Sequence, residues 1–246
     1  MLLIDAGNTR VKWAFADTGT AAGQWQSSGA CALADLEALR TPWKSLAPSH
    51  AMVANVAGDK VATAMASLLT EAGVPSSAIS FFRSRAMCGG VVNGYRQPEQ
   101  LGCDRFASLI GARHRFPSQS LLVVTAGTAT TIDALDASGR FIGGMILPGL
   151  LTMMQSLAQS TAQLPPLDAA VPPRLLADNT ADAMASGCLQ AQVGAIERAL
   201  QQLPSALCVL SGGAASLIAQ QLAMPHEPID NLVLLGLHAA ALSEAA

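Results

Sequence analysis

Asp5, Gly7, Asn8, Thr9 and Lys12 fall within a short stretch at the start of a chain of 246 residues. These are the parts of a phosphate site. A glycine lets the backbone approach an anion closely, Asn8 and Thr9 offer neutral donors, Lys12 carries a point positive charge, and Asp5 can hold Mg²⁺ directly or through water. The same residues also suit a plain hairpin turn with Asp5 as its cap and Lys12 in solvent. A second constellation runs from Asn93-Gly-Tyr95 through Pro98 to Leu101-Gly-Cys-Asp-Arg105. Asp104 leaves a glycine turn at the start of an expected helix, where it suits an N-cap. Beside Arg105 and behind Tyr95 it equally suits a site in which a carboxylate accepts a hydroxyl proton and a guanidinium holds an anionic group. The chain has neither a G-x-x-x-x-G-K-[ST] loop nor a G-x-G-x-x-G fingerprint, so P-loop and Rossmann explanations lose their main support.

The elements that must carry these residues repeat. Leu2-Leu-Ile-Asp-Ala-Gly-Asn-Thr9 leads into Arg-Val-Lys-Trp-Ala-Phe15, and Leu121-Leu-Val-Val-Thr-Ala-Gly-Thr128 leads into Ala-Thr-Thr-Ile-Asp-Ala-Leu135. Each copy reads as an apolar strand, a small-residue turn and an alternating strand, followed by a glycine turn at Asp17-Thr-Gly19 or Asp136-Ala-Ser-Gly139. Further along, Ala51-Met-Val-Ala54 with Gly58 precedes a helix over 59–72, and Leu207-Cys-Val-Leu210 with Ser211-Gly-Gly213 precedes a helix to about Leu222. The longest helix is expected over Asp178–Leu203, capped by Asp178, Asn179 or Thr180. Phe116-Pro-Ser-Gln-Ser120 is the natural break, so the expected α/β domains are residues 1–117 and 118–246. Pro165-Pro166 and Pro172-Pro173 punctuate a loop ahead of the long helix.

Composition narrows the class. Charged residues make up only 13% of the chain, the net charge is −3, and 51% is hydrophobic but only 4% aromatic. That balance fits a packed α/β interior and argues against direct nucleic-acid binding. No apolar run is long enough to cross a membrane, and Asp5 comes too early for a signal peptide. Cys31, Cys88, Cys103, Cys188 and Cys208 are odd in number and scattered, which fits reduced thiols and a cytoplasmic protein. The four histidines stand in no ligand spacing. Met145, Met153 and Met154 beside Leu150 and Leu151 suit core packing or a subunit interface.

Two glycine hairpins and a late glycine turn resemble the acetate and sugar kinase, Hsp70 and actin superfamily. Closer still, the chain resembles the type III pantothenate kinases through Asp5-x-Gly-Asn-Thr-x-x-Lys12, Tyr95-x-x-Pro98-x-x-Leu101-Gly-x-Asp-Arg105, Ala126-Gly-Thr-Ala129 with Asp133, Gly143-Gly-x-Ile-x-Pro-Gly149, Leu164-Pro165, Asn179-Thr180, Gly212-Gly213 and Asn231-Leu-Val-Leu-x-Gly-Leu237. The resemblance implies two ribonuclease-H-like domains, a duplicated actin-like ATPase fold with the active site in the cleft between them. It implies ATP-dependent phosphorylation of pantothenate to 4′-phosphopantothenate, the first step towards coenzyme A, by a cytoplasmic homodimer. It further implies that Asp5, Ala6, Gly7, Asn8, Thr9, Arg10, Val11 and Lys12 form the ATP phosphate loop, that Thr128 is a second phosphate contact, and that Gly212 and Gly213 lie against adenosine. Asp104 takes the place of the proton acceptor, and Tyr95, Gly102, Cys103, Asp104, Arg105 and Thr180 fall where pantothenate binds. Mg²⁺ at Asp5 is expected. A monovalent cation, K⁺ or NH₄⁺, is doubtful, because Thr125 stands where the family commonly carries an Asp ligand. The rival readings are a kinase of the same superfold for another small hydroxy acid or sugar, and a nucleotide-dependent regulatory module accessory to transcription.

Overall fold

The structure is a computed structural model that describes residues 1–17, 19–160 and 175–245. It divides into two compact units. The first holds Met1–Ser118, Gly139–Phe141 and Asn231–Ala246, and the second Gln119–Ser138 and Ile142–Asp230.

In the first unit, β1 (Leu2–Ala6), β2 (Arg10–Phe15) and β3 (Ser27–Ala32) form an antiparallel meander. After α1 (Arg40–Leu46), β4 (Ala51–Asn55) lies parallel to the other side of β1, and α2 (Asp59–Glu71) leads to β5 (Ile79–Phe81), parallel to β4. The sheet order is therefore β3-β2-β1-β4-β5. A small ribbon, β6 (Met87–Cys88) with β7 (Val91–Val92), precedes α3 (Cys103–Arg115).

The second unit repeats the plan. Its elements are β8 (Leu121–Ala126), β9 (Ala129–Leu135), β10 (Phe141–Pro148), α4 (Leu150–Ser160), α5 (Thr180–Gln202), β11 (Leu207–Ser211), α6 (Ala215–Ala219) and β12 (His226–Pro228). The order β10-β9-β8-β11-β12 matches the first sheet strand for strand, with β8 antiparallel to β9 and parallel to β11. The internal echo in the sequence is thus a repeat of topology. The helix expected to reach Leu222 is the short α6, and the Leu164-Pro165, Pro165-Pro166 and Pro172-Pro173 elements lie outside the described residues, as does Thr18 of the first glycine turn.

The final helix, α7 (Leu232–Ala245), belongs to the first unit although it follows the second in sequence. The reason is packing. Leu2, Ile4 and Ala6 of β1 face a core with Trp13, Trp43, Met65 and Leu69, while α3 and α7 cover the other side of the sheet. Central strands buried on both faces read as continuous apolar runs, as Leu2-Leu3-Ile4 does, and each large side chain so buried contributes about 1.5–3 kcal/mol. The two helices cross closely: a Cβ on Gly236 would stand 1.8 Å from the Ala107 carbonyl oxygen, so alanine there would force them apart. Phe106, Ala107, Leu109, Ile110 and Ala112 of α3 are fully buried, which fixes the amino end of that helix.

Candidate active site

In the first unit the β1–β2 hairpin turns through Gly7-Asn8-Thr9, closed by the Gly7 N–H donating to the Arg10 carbonyl at 3.1 Å. Asp5 and Lys12 face each other in register across that hairpin, which puts both side chains on one face of the sheet. Asn8, Thr9 and Arg10 at the tip are exposed, and Ala6 and Val11 are buried beneath it. Burial pushes the Asp5 carboxyl from its ordinary 3.8 to about 6; the Asp104 charge pushes the same way, and Lys12 pulls it partly back. The charge of Asp104 thus acts on Asp5, although the two residues are far apart in sequence.

Asp104 is the second residue of α3, and Gly102 occupies the cap position, so Asp104 is not the N-cap that its sequence position also suited. Its Oδ1 accepts the Arg105 backbone N–H at 2.8 Å. A carboxylate in the first turn of a helix is also favoured by the helix dipole. Cys103, beside it, donates from Sγ to the Asn55 carbonyl at 3.6 Å, and burial together with the Asp104 charge pushes its thiol to about 11, so it stays protonated and is no nucleophile at neutral pH.

Arg105 is buried, and its Nη1 donates to the Tyr95 hydroxyl at 2.7 Å. The Tyr95 ring leans on Phe141, with centroids 5.5 Å apart. Upstream, the Asn93 side chain accepts the Tyr95 N–H at 3.0 Å and donates to the Pro98 carbonyl at 2.9 Å. This Asx turn holds the Tyr95–Pro98 segment against α3. A cavity of about 520 Å³ opens at the carboxyl ends of β4 and β5, where parallel sheets commonly take ligands; Asn55, Val56, Phe82, Gly102 and Cys103 line it. Sequence reasoning did not single out Asn55 or Val56; their only signal was an apolar run ending before Gly58.

The second unit carries the remaining candidates. Thr128 sits at the two-residue tip of β8–β9, one residue shorter than its counterpart at Gly7-Asn8-Thr9. Gly212 and Gly213 follow β11, and the Ala214 N–H donates to the Ala126 carbonyl at 3.1 Å, so this turn is brought against the hairpin that carries Thr128. Thr180 opens α5 at an exposed position; Asn179 caps the helix, accepting the Asp182 N–H at 3.0 Å. Thr125 is the penultimate residue of β8, as Asp5 is of β1, and pairs in register with Thr131 and Ser211. Asp133 lies two residues further along β9 on the same face and is fully buried, which keeps it away from the hairpin tip.

Oxygen donors at Asp5 and Asp104 match a hard divalent cation that keeps several waters and takes its other ligands from phosphates. Among the described residues, no group of three or more His, Cys, Asp or Glu could hold a metal by itself. Nor is any described helix long and apolar enough to cross a membrane.

Comparison with known proteins places the chain among relatives. The chain is 46% identical to a type III pantothenate kinase of Janthinobacterium sp. (strain Marseille) over 259 residues, covering 100% of this chain and 98% of the relative. A type III pantothenate kinase of Cupriavidus taiwanensis is 46% identical over 278 residues, with 99% and 98% covered. Among solved structures, a Baf family transcriptional activator from Campylobacter jejuni superposes with TM-score 0.63 at 17% identity, covering 100% of this chain and 98% of its own. The ethanolamine utilization protein EutJ from Carboxydothermus hydrogenoformans gives 0.57 at 12% identity, with 98% and 89% covered. At such identities these two speak for the fold alone, the actin-like ATPase fold of two mixed five-stranded sheets. The profile of the family described as type III pantothenate kinase matches residues 1–202, and with full-length relatives at 46% identity the chain belongs to that family.

Proposed function

We propose that, in the pantothenate kinase reaction, residues 5–12 hold the phosphates of ATP and Asp104 receives the proton of the acceptor hydroxyl. The observation that carries the reading is the register that sets Asp5 opposite Lys12 at the glycine hairpin, with Asp104 in the first turn of α3 close enough for its charge to act on Asp5. It is what a site for transferring a charged group between two substrates requires.

The backbone of Ala6 to Val11 turns around the phosphates, with Asn8, Thr9 and Arg10 as donors at the exposed tip. Lys12 neutralises charge developing on the transferred group. Asp5, with Asp104 near it, would hold Mg²⁺, which would supply positive charge to offset that of the phosphates. The transition state is loose in most analyses, so positioning and charge neutralisation contribute most of the acceleration. The primary hydroxyl oxygen of pantothenate attacks the γ-phosphorus, the bond to the β–γ bridging oxygen breaks, and ADP leaves. The hydroxyl proton passes to the Asp104 carboxylate, which the Arg105 N–H holds by its other oxygen. Arg105, oriented by Tyr95, pairs with the pantothenate carboxylate, and Gly102 and Cys103 form the adjacent wall.

Thr128 is a second phosphate contact, Gly212 and Gly213 lie against adenosine, and Thr180 contributes to the pantothenate site. Ile142 and Ile146, four residues apart on β10 and so on one side of the strand, are large apolar side chains left exposed, which supports a homodimer. The five free cysteines support a cytoplasmic setting.

The test is ATP turnover measured with and without pantothenate. Production of ADP and 4′-phosphopantothenate in equal amounts, with little ADP formed when pantothenate is left out, is the expected result. Pantothenate-independent hydrolysis would point to the regulatory reading instead.

A further inference from the structure

α5 packs on its sheet through Ala185, Cys188, Leu189, Val193, Ile196 and Leu200, a helical stripe of apolar side chains. Gln192 stands in that stripe, is fully buried, and does not belong there on packing grounds. Its Nε2 donates to the Pro148 carbonyl at 2.8 Å and lies 3.0 Å from Met153 Sδ. A carbonyl oxygen only accepts, so only the nitrogen end of the carboxamide can face it. The carboxamide oxygen is buried with no partner among the described residues, an arrangement that costs stability and that an apolar side chain would avoid.

What Gln192 holds is the turn between β10 and α4. Gly149, next in the chain, donates its N–H to the Thr128 carbonyl at 2.9 Å, and Thr152 of α4 donates its hydroxyl to the same carbonyl at 2.8 Å. The approach is so close that a Cβ on Gly149 would stand 2.0 Å from the Gly127 carbonyl oxygen. The turn therefore clamps the tip of β8–β9, and Gln192 fixes the turn from inside the unit. We infer that Gln192 is a positioning residue for the nucleotide: through Pro148 and Gly149 it sets where the Thr128 hairpin presents its donors to phosphate. The inference rests on the reading of Thr128 as a phosphate contact.

The test compares Gln192→Met, Gln192→Glu and Thr128→Ala in the full chain, by steady-state kinetics and thermal unfolding. Met fills a similar volume but donates nothing, so kcat/KM for ATP falls about tenfold, the scale of one hydrogen bond, while KM for pantothenate stays within twofold and the unfolding midpoint holds or rises. A buried Glu keeps its proton at low pH and can still donate to Pro148. Relative to the parent at the same pH, Gln192→Glu is therefore most active near pH 6 and declines by pH 8.5 as the carboxyl ionises. Parent-like ATP kinetics in Gln192→Met, with Thr128→Ala impaired, would overturn the role of Gln192 and leave the phosphate contact standing. Equal losses for both substrates alongside a lowered midpoint would reduce Gln192 to a core residue. Unchanged ATP kinetics in Thr128→Ala would remove the reading of the hairpin and this inference with it.

Discussion

Replacing Asp5 by Asn should stabilise the protein while removing its activity. In the folded chain burial and then the Asp104 charge push the Asp5 carboxyl up from an ordinary 3.8 to about 6, because both disfavour its ionised form. A group whose folded pKa is raised stabilises the fold fully below its unfolded pKa. That stability is lost as pH rises through the folded value. The window is therefore pH 4 to 6, and above it the ionised carboxylate is a constant burden. About two pKa units correspond to a ceiling of about 3 kcal/mol, and partial exposure of the Asp5 side chain brings the expectation to about 1–2 kcal/mol. For a chain of this size that is about 3–6 °C in the unfolding midpoint. The assay is thermal unfolding of the parent and Asp5→Asn without nucleotide at pH 4.5, 6 and 7.5. The variant should gain most at pH 7.5 and little at pH 4.5, with phosphoryl transfer lost throughout. An unchanged or lowered midpoint at pH 7.5, or an equal gain at every pH, would refute the electrostatic account of the site.

Asp104→Asn should lower pantothenate phosphorylation by about 10² to 10⁴ in turnover with ATP affinity nearly intact; parent-like turnover in a single-turnover assay would leave Asp104 a purely structural part of α3. Lys12→Ala should raise KM for ATP and Tyr95→Phe KM for pantothenate, each leaving the other substrate within a few-fold, and equal effects on both would contradict the division of roles. With Thr125 in place of a carboxylate, activity should require Mg²⁺ but change little when KCl or NH₄Cl replaces a bulky organic cation at equal ionic strength. Steep, saturable activation by potassium would show that other oxygens rebuild the cation site.

Much of the molecule was legible locally. A strand is announced by Leu2-Leu3-Ile4, a hairpin by Gly7-Asn8-Thr9, and a capped helix by Asn179, because these depend on side-chain period, turn chemistry and neighbouring backbone groups alone. The echo between residues 2–15 and 121–135 carried the repeat for the same reason. Other features depend on residues that meet only after folding. That α7 closes the first unit follows from the fit of Gly236 against Ala107, a contact between segments more than a hundred residues apart. That Asp104 is not a cap turned on one position: Gly102 takes the cap, and the Asp104 carboxylate stands near enough to Asp5 for its charge to raise that carboxyl's pKa. Gln192 left a faint mark, a polar residue in an apolar stripe, but nothing local says that its partner is Pro148. Local backbone preferences and side-chain period set which elements form. Long-range packing sets which charges come together, and the electrostatics that suit this chain to phosphoryl transfer exist only at that level.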